Sequence, residues 1–223
     1  MSTTPTSDAA AFLEPRQARS RRSWERVLDA TRDLLIARGR ADFAIADVSN
    51  SAGVSIGSIY GRVPSKAALL EAVHGREMVR IDEETVSAMA AAAEQGDDLT
   101  ASVTALVEAR VRALEGNAPL LVAVIRIAED YPAIARRGIA SGQIAQTAFI
   151  GALASICIRN RVDCDEPELA WCEEIVYSLA SRQVGIGLVA QGGPQQRMTD
   201  AQLVSFLTST VTSFLRREEL DHR

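Results

Sequence analysis

An all-α protein is what this sequence predicts, and three observations carry that reading. Apolar residues recur at three- and four-residue spacings along most of the chain, the period of a helix with one buried face. No stretch alternates apolar and polar residues with the period of a strand, and Gly, Asn, Pro and acidic clusters interrupt the helical pattern at helix-length intervals. At 223 residues and 47% hydrophobic content, the chain is large enough to bury a sizeable core, as one small domain and one larger one.

Residues 1–14 are rich in Ser, Thr and Ala, carry Pro5 and hold no sustained period, so they are expected to form a mobile tail. A first domain is expected over residues 15–66. In its first helix Ser23 is the expected N-cap, and Trp24, Val27, Leu28, Thr31, Leu34 and Leu35 form the buried stripe, with Gly39 closing the helix. Ile45, Val48 and Ala52 mark a second helix that stops at Gly53, the residue best suited to a left-handed position after a helix end. Val54 can fill the angle that follows, and Ser55 can cap a third helix from about Ile56, whose inner face is Ile59 and Val63 and which Pro64 ends. Ser65 then caps a fourth helix. It runs from Lys66 through Leu69, Leu70, Val73, Met78 and Ile81 to Ala88–Ala93 and ends near Gly96, a rod of roughly 40 Å linking the first domain to the body. The body, residues 67–223, is expected to continue with helices at about 98–115, 118–129, 132–159, 166–191 and 199–218, about nine helices in all. Because Leu120 to Ile125 is apolar all round, the sixth helix is expected to lie among others, where a bundle packs solid or leaves a cavity.

Two short helices around a glycine turn are the sequence form of a helix-turn-helix, whose second helix enters the major groove of DNA. The run Ala52-Gly-Val-Ser-x-Gly-Ser-x-Tyr60, followed by Pro64-Ser-Lys66 and Leu69-Leu70, resembles the N-terminal domain of the TetR family of bacterial transcriptional regulators, over roughly residues 20–75. The sequence departs from that family at Ala44, where a capping Thr is usual, at Gly61, where a large aromatic is common, and at Val63, where Phe is common. The resemblance implies a cytoplasmic homodimer that binds double-stranded operator DNA, most often as a repressor, and is released by a small-molecule effector in the C-terminal domain.

On that reading Ser55, Ile56, Gly57 and Ser58 approach the major groove, and Tyr60 and Lys66 touch phosphates. Arg62, the only long basic side chain in this segment, is expected to reach a guanine. Arg21 and Arg22, in a cluster with Arg16 and Arg19, are placed to meet phosphates or a minor groove. Charge distribution agrees. Residues 15–66 hold ten Lys/Arg and five Asp/Glu, a balance of +5, whereas the whole chain carries −5 and the remainder therefore −10.

For the effector, the polar and aromatic candidates on the helices flanking the sixth are Arg126, Tyr131, Gln143, Gln146, Cys157, Trp171 and Tyr177. The effector itself is expected to have an apolar part. In the resembling family the last two long helices form a four-helix dimer interface. Here that implies Ile175 and Leu179 on the eighth helix and Leu203, Phe206, Leu207, Thr210, Val211 and Phe214 on the ninth, the last six following a helical stripe.

Other classes fit less well. Gly53-Val-Ser-Ile-Gly57 satisfies the G-x-S-x-G pattern of a hydrolase nucleophile, but that motif follows a buried strand and needs an acid and a His. Here a helix precedes it, and the only histidines are His74 and His222. Cys157, Cys164 and Cys172 lack C-x-x-C spacing and a nearby His, so neither zinc nor a disulfide framework is expected, and no cofactor. The longest apolar run, eight residues from Ala118 to Ile125, is too short to cross a bilayer, and the N-terminus has no signal-peptide layout. Two alternatives stay open. One is a DNA-binding regulator controlled by a partner protein or by thiol oxidation; the other is a helical enzyme or scaffold in which the helix-turn-helix is incidental.

Overall fold

The computed structural model describes residues 16–186 and 198–216. The expected tail and the far ends of the expected last two helices, 187–191 and 217–218, lie outside them. The described residues form eight α-helices and no strand.

Helix α1 spans Arg16–Arg38 and begins well before Ser23. Rather than capping, the Ser23 hydroxyl donates to the Arg19 carbonyl within the helix, at 3.0 Å. The Arg cluster is thereby part of a rigid helix. Gly39, at φ 63°, ends α1 and donates its N–H to the Leu35 carbonyl. Helix α2, Ile45–Ala52, starts at Ala44, whose side chain offers no acceptor. Asp47 reaches back instead: its carboxylate accepts the Ala44 N–H at 2.9 Å and pairs with Arg38 at 3.3 Å. Gly53, at φ 62°, closes α2, and α3 spans only Ile56–Tyr60, with Ser55 accepting the Ser58 N–H at 3.2 Å. Helix α4, Lys66–Ala93, is capped by Ser65 and is about 42 Å long at the usual rise.

Helix α5, Leu99–Ile127, is continuous where two helices were expected, because Gly116-Asn-Ala-Pro119 does not break it. An interior proline disfavours a helix by about 3 kcal/mol. Leu106, Val107, Val111 and Leu114 before it and Leu120, Ala123, Val124 and Ile127 after it are all buried, each larger side chain contributing about 1.5–3 kcal/mol, so packing outweighs the break. Asn117 adds to this by donating its amide to the Ala113 carbonyl and accepting from Arg80 of α4, both at 2.9 Å. The segment is not enclosed all round, however, since Ile125 is exposed.

Three helices complete the body: α6, Pro132–Asn160; α7, Glu166–Gln183; and α8, Asp200–Leu215. Reciprocal capping boxes, Asp165 with Glu168 and Thr199 with Gln202, start the last two. Gly185, at φ 81°, and the Ile186 N–H bonded to the Ser181 carbonyl stop α7 earlier than expected. By length and mean hydropathy (1.3 over its most apolar window) α6 is suited to a bilayer span, yet it packs along α4 and buries Phe149, Leu153 and Ile156 in the body.

Two apolar clusters hold the chain together. One joins α1, α2 and α3 to the first half of α4, and it also takes in Leu120, Ala123, Val124 and Ile127 of α5 and Ile134 of α6. The other fills the body between α4, α5, α6, α7 and α8. The helix-turn-helix head therefore shares its core with α5 and α6. Ion pairs reinforce the seam: Arg76 of α4 reaches Glu25 and Asp29 of α1 at 3.0 and 2.9 Å, and also the buried Glu77 at 2.7 Å.

Candidate nucleic-acid interface and effector cavity

The outward face of α3 consists of Ile56, Gly57, Ser58 and Tyr60, with Ile56 43% and Tyr60 48% exposed, while Ile59 is buried beneath them. Among the described residues no contact accounts for two large exposed side chains on so short a helix. Gly57 has open space where a Cβ would stand, so a second surface can come close to the backbone there. Arg19, Arg21 and Arg22 are exposed on the first turns of α1.

Two of the residues expected at DNA have partners within the chain. Arg62 folds back onto α1, donating from Nη2 to the Ser20 carbonyl at 2.9 Å and to the Ser20 hydroxyl, with its guanidinium 5.4 Å from the Trp24 ring centre. Lys66 donates from Nζ to the Ala41 carbonyl and lies 4.6 Å from the Phe43 ring centre. Both cations tie α3 and the start of α4 to the loop and helix before them. Each would have to leave a carbonyl and an aromatic face to reach DNA.

Between α4, α5 and α6 lies a cavity of about 410 Å³, reached also by Tyr177 of α7 and by Ile186. Its wall is mainly aliphatic, including Met78, Ile81, Leu114, Leu121, Val124 and Ile134, and polar side chains interrupt it: His74, Asp82, Thr85, Arg110, Ser141 and Tyr177. Arg110 pairs with Glu173 of α7 at 2.8 Å, both side chains at most 5% exposed, and its guanidinium lies 5.0 Å from the Tyr177 ring centre. Asp82 pairs with Arg137 at 2.5 Å and accepts the Ser141 hydroxyl. Burial and the Arg137 charge push His74 down to about 4, against the pull of Asp82.

Of the seven residues expected at the effector site, only Tyr177 lines this cavity. Arg126 is exposed, with Nη1 beside Gly39 of the head. Tyr131 packs on the head cluster, Gln143 and Gln146 face outward, Cys157 is buried in the body core, and Trp171 is exposed against Phe214. Sequence reasoning missed His74, Asp82 and Arg110. Their signal was a polar residue on a buried stripe, most plainly Arg110 between Leu106 and Leu114.

The expected dimer residues divide in two. Leu203, Leu207 and Val211 belong to the chain's own core, because the inner side of the α8 stripe packs on α5 and α7. Phe206 and Leu179 are exposed, and Ile175, Thr210 and Phe214 are half-buried. Trp171 and Phe214 meet edge to face at 6.2 Å, extending this outer face. Burial pushes the thiols of Cys157 and Cys164 up, and that of Cys172 up to about 12, so they stay protonated and poorly reactive. Among the described residues no cluster of His, Cys, Asp and Glu is suited to a metal ion.

His74 also makes stability depend on pH. Its folded pKa lies below the ordinary 6.5, so between about pH 6.5 and 4 the unfolded chain binds a proton that the native chain does not, and stability falls as the pH falls. The expected loss is about 2–3 kcal/mol across that window. Urea unfolding of the wild type and His74→Leu at a series of pH values measures it, and the variant should lack this part of the slope.

Residues 27–73 match the profile of bacterial regulatory proteins, tetR family. No curated protein matches the chain in sequence. Among solved structures, one described as a TetR-family transcriptional regulator from Mesorhizobium loti superposes with a TM-score of 0.71 at 16% identity, covering 88% of this chain and 96% of that one. GusR from Salmonella enterica gives 0.63 at 14%, covering 92% and 98%, and a transcriptional regulator from Pseudomonas aeruginosa gives 0.62 at 16%, covering 95% and 97%. The shared fold thus extends over the body, beyond the segment that carries the family profile. Over residues 27–73 the chain thus resembles the tetR family of bacterial regulatory proteins, and over most of its length it shares a fold with these solved structures.

Proposed function

We propose that this regulator is a cytoplasmic repressor that binds a palindromic operator as a homodimer and is released when a small, mainly apolar molecule occupies the cavity between α4, α5 and α6. One observation carries the reading. The cavity and the core beneath the reading helix are lined by the same helices, and Met78, Ile81, Val124 and Ile134 belong to both. A molecule that shifts those side chains acts on the packing that sets the angle of α3. A two-fold dimer must hold its reading helices one DNA turn apart, about 34–36 Å, so a small tilt of α4 changes the fit. Linkage then requires that the effector bind the free dimer more tightly than the operator complex, typically by about 1–3 kcal/mol. The buried, protonated cysteines favour this reading over control by thiol oxidation.

The test begins with an operator selected from random duplexes by the purified protein. Ile56→Glu places a carboxylate on the outer face of α3 without disturbing the core, and should weaken operator binding at least tenfold by fluorescence anisotropy, about 1.4 kcal/mol or more, with the melting midpoint unchanged. Unaltered binding would move the DNA interface away from α3.

A further inference from the structure

Charge and free volume on the cavity wall together define the molecule that it admits. We infer that the effector is an uncharged apolar molecule seated against the backbone of α6 at Gly138 and Gly142, and that these two glycines decide which molecules fit. This rests on the effector reading above.

The charged side chains on the wall are Asp82 and Arg110, and each is already neutralised. Asp82 pairs with Arg137 at 2.5 Å and accepts the Ser141 hydroxyl, and Arg110 pairs with Glu173 at 2.8 Å. The His74 imidazole, pushed down to about 4 by burial and the Arg137 charge, is neutral at physiological pH. Thr85 and Tyr177 add hydroxyl groups, which can bond a ligand but do not offset a charge. A carboxylate or an ammonium group entering this space would leave water without gaining a free counter-charge. The mouth has the same character: Ile125 of α5 and Ile139 of α6 line the cavity and are 48% and 64% exposed.

Free volume comes from α6. Among the residues of α6 that line the cavity, Gly138 and Gly142 stand one turn apart at the middle of the helix face, with the buried Ile134 and Ser141 on one side and the exposed Ile139 on the other. A Cβ at either glycine would have no neighbour within 4 Å, so a larger side chain there would extend into the cavity. Neither glycine has a positive φ, and an interior glycine weakens a helix relative to alanine. Local conformation and packing among the described residues therefore do not require glycine at these positions. What the missing side chains supply is room between the α6 backbone and the aliphatic groups of α4 and α5, including Met78, Ile81, Leu121 and Val124. An apolar molecule filling that room touches backbone on one side and aliphatic carbon on the other.

The probe is N-phenyl-1-naphthylamine, an uncharged dye that brightens in apolar surroundings, titrated into the full-length protein. It should bind, and 8-anilino-1-naphthalenesulfonate, the same skeleton with a sulfonate, should bind at least about tenfold more weakly. 2-Naphthol should displace the neutral dye at concentrations at least about tenfold below those needed by 2-naphthoate or by protonated 2-naphthylmethylamine. Gly138→Leu and Gly142→Leu should each weaken the dye at least about tenfold, whereas Gly151→Leu, on α6 outside the cavity and with equal room at its Cβ, should leave it unchanged. The double change Gly138→Ala with Gly142→Ala covers the case in which leucine disturbs the fold. It should weaken the dye about threefold while raising the melting midpoint, a combination that loss of structure cannot produce. No binding of the neutral dye, equal binding of the sulfonate, or wild-type dye affinity in the cavity-facing glycine variants would each overturn the inference. Operator titration with and without saturating dye separates the two levels: a dye that binds as described but leaves operator affinity unchanged supports the ligand class and contradicts release by this cavity.

Discussion

Phe206→Arg is expected to convert the protein to a folded monomer and to remove operator binding at concentrations where the wild type is saturated. Phe206 is 48% exposed on α8 and Trp171 54% exposed on α7, and with Leu179 and Phe214 they form an apolar face that nothing among the described residues covers. Completing the burial of such side chains contributes up to about 1.5–3 kcal/mol each, and a two-fold interface counts every one twice. An Arg at its centre replaces that gain with an unpaired charge in an apolar contact, so the dimer dissociation constant should rise at least about 100-fold. Light scattering reads the oligomeric state and circular dichroism the fold. Leu207 and Val211, on the inner side of the same helix, are unsuitable for this purpose: they are fully buried in the monomer, and a charge there would unfold the chain. A Phe206→Arg protein that stays a dimer would place the interface elsewhere.

Glu173→Ala is expected to be the most destabilising single change in the body. It leaves the Arg110 guanidinium buried without its carboxylate, a loss of about 3–5 kcal/mol, which for a chain of this size lowers the melting midpoint by roughly 10 °C. The paired replacement of Arg110 and Glu173 by Met should recover most of that loss, because two apolar side chains of similar volume need no partner. Calorimetry on the two proteins decides between a pair that holds the fold by itself and one whose members matter only because each neutralises the other.

What could be read from the sequence follows the range of the forces involved. Gly53, Ser55, Ser65 and the periodic apolar residues of α1, α2 and α4 act within a turn or two of themselves, and the helix-turn-helix follows from them directly. Ser23 misled because a serine before an apolar run has the pattern of an N-cap, while the helix had already started at Arg16. Pro119 misled because its local penalty is offset by contacts with helices far away in sequence. The same limit applies to the sites. Arg62 and Lys66 find their partners 42 and 25 residues away, and Arg110 finds Glu173 across 63, so the composition of α3 or α5 alone gives no hint of which cations are engaged. The cavity depends on how α4, α5 and α6 pack, and its polar groups stand among residues that a helical period marks only as core.

The account turns on two copies of α3 entering successive major grooves on one face of the duplex. Hydroxyl-radical footprinting of the protein on a duplex it has itself selected measures that directly. Two protected patches centred about one helical turn apart, both lost in Phe206→Arg and in Ile56→Glu, are the predicted result. A single patch that survives Phe206→Arg would contradict it.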